Sequence, residues 1–194
     1  MTENGVGVTY RAATYKIDPG RSRFVVRAFA TGLLSSLGHN PTIAIPGFSG
    51  EAQIPPGLEG VASLHIEVQA ASLKVTDNVS DKDRREIERQ MQEEVLETSR
   101  YPQITFESSS VSSEKVFEGQ YKARISGGLS LHGVTRDLTI LSQLILGEDT
   151  MRANGEFSIS QREYGIKQVS ALGGSIKLKD ELKFSFDIVA RRER

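Results

Sequence analysis

Tyr121-Lys122-Ala123-Arg124-Ile125-Ser126-Gly127-Gly128-Leu129-Ser130-Leu131 is the stretch from which the fold can be read. Its odd positions are apolar or small, and most of its even positions are polar. Successive side chains of a strand point to opposite faces, so this run has one face for a core and one for water. The same rhythm returns downstream in Leu138, Ile140, Ser142, Leu144 and Leu146, then in Ala153, Gly155, Phe157 and Ile159, and last in Leu182, Phe184, Phe186 and Ile188. Upstream it runs through Ala62, Leu64, Ile66, Val68 and Ala70, and through Ile104, Phe106 and Ser108. Phe24, Val26 and Ala28 keep the phase less cleanly against Val25, Arg27 and Phe29, and Ile43 to Ile54 reads as strand broken at Pro46 and ended by Pro55-Pro56.

Short links at Glu114-Lys115, Gly133-Val134, Gly147-Glu148-Asp149 and Gly173-Gly174 separate these segments, which predicts antiparallel neighbours in a meander. About eight strands, each with one apolar face, leave a closed barrel or a two-sheet sandwich.

The 194 residues contain 24 Lys+Arg against 25 Asp+Glu, a net charge of −1, with 38% apolar residues. That length and apolar content predict one core, here residues 14–191, with a flexible segment at 1–13 and a basic tail at 192–194. The balanced charge lacks the clustered excess of Lys and Arg that a nucleic-acid footprint requires. With no cysteine, the chain is excluded from disulfide frameworks, Cys-ligated zinc or iron–sulfur sites and thiol catalysis. No run approaches the roughly 18 apolar residues of a membrane span, and Met1 to Ala13 holds no leader-like apolar stretch, so the expectation is a cytoplasmic protein without an integral membrane segment.

One segment breaks the alternation. Eleven of the seventeen residues from Asp81 to Glu97 are charged, with Ile87, Met91 and Val95 at helical spacing. This predicts a solvated helix with a narrow apolar stripe, packed outside the sheet as a lid or buttress. Ser80 with Asp83 resembles a capping box, and Arg84 is placed to pair with Glu88.

Chemistry-bearing motifs are sparse. His39, His65 and His132 are well separated and lack carboxylates at metal-ligand spacing. There is no nucleophile elbow, Walker loop or dinucleotide fingerprint. No catalytic residue, metal site or required cofactor is assigned.

Four strings resemble the YceI family of lipocalin-like proteins. Tyr15-Lys16-Ile17-Asp18-Pro19 followed by Ser22 and Phe24 is similar to its opening Y-x-I-D-x-x-x-S. Tyr101-Pro102-Gln103-Ile104-Thr105-Phe106 with Ser108 resembles its Y-P-x-I-x-F-x-S, and Gly127 to Asp137 resembles its G-x-L-x-L-x-G-V-T-R. Arg162, Gly165 and Ile166 resemble its late R-x-x-[YF]-G-I, with one residue fewer between the arginine and Tyr164. The strings follow the family's order from Tyr15 to Ala190. Members of that family often carry a secretory leader, whereas this chain opens at Met1.

The resemblance implies an extended eight-stranded antiparallel barrel with a helix beside it, enclosing a long apolar molecule of polyisoprenoid, isoprenoid-quinone or fatty-acyl type. The residues agree with that implication. Eight strands close on an interior that side chains fill or that holds one ligand. Small inward residues and the absence of tryptophan leave room there. Phe24, Val26, Leu64, Ile66, Phe106, Leu129, Leu131, Leu138, Ile140, Phe157, Phe184 and Phe186 are the candidate tube lining. His39, His132 and Arg162 are candidates for the mouth or a polar contact, with a structural clamp preferred for the last two. The leading reading is therefore a non-enzymatic carrier of a long-chain apolar small molecule. The alternatives are an enzyme acting on a lipid in the pocket and a solid barrel serving as an interaction module. A homodimer is compatible with the sequence, although no feature specifies its interface.

Overall fold

The alternating segments form strands of one antiparallel sheet. The computed structural model describes residues 12–31, 40–58, 62–167, 170–171 and 176–194. Its strands in chain order are β1 (Ala13–Ile17), β2 (Arg23–Arg27), β3 (Ala30–Thr31), β4 (Thr42–Ala44), β5 (Phe48–Ile54), β6 (Ser63–Gln69) and β7 (Lys74–Val75). After the helix α1 (Asp81–Gln90) come β8 (Gln103–Phe117), β9 (Gln120–Leu131), β10 (Val134–Leu146), β11 (Thr150–Ser160), β12 (Ser170–Ala171), β13 (Ile176–Leu178) and β14 (Glu181–Arg192).

Of the two architectures left open, the chain adopts the barrel. β1 pairs with both β5 and β14, which closes the ring β1–β5–β6–β8–β9–β10–β11–β14. The device is the length of β14. One of its edges lies along β11, while the other takes β2 at Lys183–Asp187 and β1 at Ala190–Arg192. Three staves of the barrel are bent. β1 continues into β2 through the 3-10 turn Pro19–Arg21, β4 into β5 across Pro46-Gly47, and β6 into β7 through Ala70–Ser72. Pro46 has no N–H to give a ladder, so the stave breaks there. A three-stranded sheet, β12–β13–β3, stands apart from the ring.

Two links fall elsewhere than the sequence suggests. Val134 pairs with Leu131, so the β9–β10 turn is His132-Gly133, with φ of 52° and 74°. Positive φ at both central residues is the type I′ geometry whose twist suits a hairpin. Glu114 and Lys115 stay in the β8 ladder, opposite Lys122 and Tyr121, and the turn comes later at Glu118-Gly119. The link at Gly147-Glu148-Asp149 lies where expected, whereas Gly173-Gly174 falls outside the described residues.

Ser80 caps α1, its hydroxyl oxygen accepting from the Asp83 N–H at 3.1 Å. The expected Arg84–Glu88 pair is replaced by a better arrangement. Arg84 donates to the carbonyls of Val75 and Asp77, and Glu88 accepts from the Val75 N–H at 2.9 Å. The otherwise unpaired edge of β7 is thereby tied to the helix, which satisfies backbone groups that a surface ion pair would leave open. Past Gln90 the helix widens into a π turn, Met91–Val95, that buries Met91.

The basic end is built into the barrel. β14 runs through Arg192, Arg191 lies 3.3 Å from the Asp18 carboxylate, and Glu193 N–H donates to the Thr14 carbonyl. Among the inward residues, Val26, Phe106, Leu129, Ile140 and Ile188 are buried.

Candidate functional site

The inward faces of the staves enclose a cavity of about 270 Å³. All twelve candidate lining residues border it. Phe24 and Val26 come from β2, Leu64 and Ile66 from β6, and Phe106 from β8. Leu129 and Leu131 come from β9, Leu138 and Ile140 from β10, Phe157 from β11, and Phe184 and Phe186 from β14. They divide into two groups. Val26, Phe106, Leu129, Leu131 and Ile140 are buried among their neighbours, while the other seven are inward-facing yet only partly buried. The latter group includes an aromatic array: Phe157 stacks on Phe184 at 4.8 Å, and Phe184 neighbours Phe24, which meets Phe48 edge-on at 5.8 Å.

Small inward residues play two roles, only one of which leaves space. Gly127 and Gly155 do not enlarge the cavity. A Cβ on Gly127 would lie 2.8 Å from Phe106 Cζ, and one on Gly155 would lie 2.8 Å from Phe186 Cζ. Each glycine is the seat of a phenyl ring. Ala123 and Ala153, by contrast, border the cavity.

The charged helix contributes more than an outer buttress. Ile87, Met91 and Val95, its apolar stripe, border the cavity with Gln90 and Leu96. α1 thus lies outside the ring of strands while its stripe forms part of the cavity wall.

Among the described lining residues there is no Asp, Glu, Lys, Arg or His. The polar ones are Ser63, Gln90, Thr105, Ser142 and Gln161, of which Ser142 and Gln161 are the two buried polar side chains described. Sequence reasoning passed over Gln161, which extends the period of Phe157 and Ile159 one step past the end of β11, into the 3-10 turn Gln161–Tyr164. Its neighbour Arg162 pairs with a carboxylate, as a clamp would, but on the outside. Its guanidinium is 75% exposed and lies 3.1 Å from Asp180. Arg162 sits in that 3-10 turn, past the end of the ladder. Asp180 also accepts from the Ser160 hydroxyl at 2.6 Å and from the Arg162 N–H at 2.9 Å. The Ser160 hydrogen bond first, and the Arg162 contacts after it, hold the Asp180 carboxyl below its usual range.

The two described histidines, His65 and His132, do not border the cavity. His65 faces outward beside Glu107, 44% exposed. His132 sits in the β9–β10 turn and does not border the cavity. Its ring packs 4.5 Å from Tyr101, and Nδ1 lies 3.3 Å from the Tyr164 carbonyl, so Nδ1 carries the proton. His39 lies outside the described residues. No three His, Asp or Glu side chains among the described residues stand together as a metal site would need, and no described helix is long and apolar enough to cross a membrane.

Comparison with known proteins bears out the closed eight-stranded barrel, and the model of the YceI-like domain matches residues 15–190. The chain belongs to the YceI-like family. Solved structures agree with this assignment. BcnA of Burkholderia cenocepacia superposes on this YceI-like chain with a TM-score of 0.67 at 17% identity, covering 89% of this chain and 98% of that one. A polyisoprenoid binding domain from Saccharophagus degradans, implicated in plant cell wall breakdown, gives 0.67 at 13% identity, with 92% and 98% covered. A YCEI protein of Campylobacter jejuni gives 0.61 at 15% identity, with 81% and 88% covered. These identities carry the fold of the YceI-like barrel. No curated protein matches the chain.

Proposed function

We propose that this YceI-like protein binds a long-chain apolar molecule, of isoprenoid or fatty-acyl type, inside its barrel and carries or sequesters it without changing it chemically. One observation carries the reading: a cavity of about 270 Å³ whose described lining holds no ionisable side chain. Apolar cavities in proteins stay dry and take apolar guests. Each CH₂ transferred from water into such a tube stabilises the complex by roughly 0.8 kcal/mol, so a long chain binds tightly with few directed contacts. The naming of the Saccharophagus domain as polyisoprenoid binding supports the same class of ligand.

The lining also favours binding over catalysis. Acid–base or nucleophilic work on a lipid needs a titratable group within hydrogen-bond reach of the reacting atom, and the described lining offers none. A solid barrel acting only as an interaction module would have this interior filled.

The test is native mass spectrometry of the freshly purified protein, followed by solvent extraction and loading of the stripped protein with long-chain isoprenoids and acyl lipids. A stoichiometric adduct, co-purified or reloaded, is the expected outcome. Failure of every long-chain ligand to bind would overturn the reading.

A further inference from the structure

The two buried polar side chains bordering the cavity share a property that narrows the ligand. Gln161 Nε2 points at two backbone carbonyls, Lys179 O at 2.9 Å and Asp180 O at 3.4 Å. Carbonyl oxygens only accept, so the amide orientation follows: nitrogen toward the carbonyls, Oε1 away from them. Both N–H bonds are thereby committed. Among the described residues no donor reaches Oε1, on a residue only 3% exposed that borders the cavity. Ser142 is similar. Its hydroxyl proton is shared between Asn154 O at 3.0 Å and Gln143 O at 3.2 Å, leaving only lone pairs. What these two buried groups keep for a guest is acceptor capacity alone.

Gln161 is also held in place as a site residue would be. It follows Ser160 and precedes Arg162, and both flanking residues are bonded to the Asp180 carboxylate. The Gln161 N–H donates to the Asp180 carbonyl at 3.0 Å, and the Gln161 carbonyl accepts from the Ile166 N–H at 3.1 Å. Backbone and amide are therefore anchored on the same loop, which removes rotamer freedom before any ligand arrives.

We propose that Gln161 Oε1 is the head-group acceptor of the cavity, so that the barrel takes long-chain molecules with a hydroxyl head in preference to acceptor-only heads such as quinones, ethers and esters. The inference rests on the apolar-ligand reading above and adds a polarity to it. A hydroxyl moved into a purely apolar tube loses its hydrogen bonds to water, and an ether there loses less. In such a tube the ether binds better. A cavity-lining acceptor that no described protein donor reaches reverses that order, because the hydroxyl regains a bond that the ether cannot make.

The experiment uses the full chain and three probes with one tail: hexadecanol, hexadecyl methyl ether and hexadecane, each titrated against a bound fluorescent apolar dye. The expected result is that the alcohol binds roughly tenfold tighter than the ether. Gln161→Leu should reverse that order, each affinity being read relative to that of hexadecane in the same protein. Equal binding, or an ether preference in the wild-type protein, would overturn this inference alone. A preference that survives Gln161→Leu and disappears in Ser142→Ala would overturn the assignment to Gln161. Absence of binding by all three probes would instead sink the apolar-ligand reading itself. The wild-type comparison is decisive even where Gln161→Leu does not fold.

Discussion

Gly155 and Asp180 show how much of this barrel depends on single atoms. Gly155 lies where β10 and β11 approach closely. A Cβ there would meet the Leu141 carbonyl at 2.5 Å as well as the Phe186 ring. The first is ladder backbone, which cannot retreat, and the second is a ring that neighbours Phe157 at 6.4 Å. Gly155→Ala should therefore cost about 1–3 kcal/mol, read as a lower urea midpoint at unchanged slope. Asp180 makes a pH prediction. Its carboxyl is held below its ordinary value by the Ser160 hydroxyl first and by Arg162 after it. A carboxylate whose folded pKa is depressed contributes stability that is full above its unfolded value, about 4, and is lost as pH falls through the folded one. At neutral pH Asp180→Asn should melt below the wild type, and the two melting temperatures should converge as the pH falls below the ordinary carboxylate range. A gap that persists in acid would mean that the carboxylate's charge is not what holds the loop.

At the scale of elements, α1 and β8 are the informative pair. α1 is rich in charge, yet its Ile87, with Met91 and Val95 of the π turn that continues it, borders the cavity, so the order of the helix bears directly on the binding volume. Ser80→Ala removes the oxygen that receives the Asp83 N–H, and should cost about 1 kcal/mol locally. Hydrogen exchange should show this as roughly fivefold faster exchange of the α1 amides, with the barrel strands unaffected. β8 explains why one turn was misplaced from sequence. Its ladder with β6 ends at Glu107, and from Ser112 to Phe117 every residue is exposed. A strand wet on both faces has no reason to alternate, so Glu114-Lys115 looked like a link. Inward strands such as β9 and β10 were legible because one face had to be apolar.

For the whole molecule, the cavity exists because eight staves close with small residues at some inward positions and rings at others. Ala153 borders the cavity and is only partly buried. Ala153→Phe places a ring in the tube from a strand whose backbone geometry suits aromatics. Such a variant should still fold, since the new side chain fills space rather than displacing neighbours. It should bind long-chain ligands at least about tenfold more weakly. The check is ligand-dependent melting. Saturating ligand raises the wild-type melting temperature by mass action, and the rise should be much smaller for Ala153→Phe. An undiminished rise would show that the ligand sits elsewhere.

By itself, the sequence determined the class of fold, the positions of the inward residues and the family. Period-two patterning, turn glycines and family strings are local, and each can be read without knowing what lies opposite. Only the tertiary structure decided the rest. Whether the staves would close or stack depended on β14 serving β11 on one edge and both β1 and β2 on the other. Whether Gly127 and Gly155 opened space or seated rings depended on Phe106 and Phe186 reaching across from neighbouring strands. That Gln161 offers an acceptor depended on two carbonyls from a loop eighteen residues away taking both of its N–H bonds. Patterning records which face a side chain takes; what it meets there is set by strands far along the chain, and only folding brings them together.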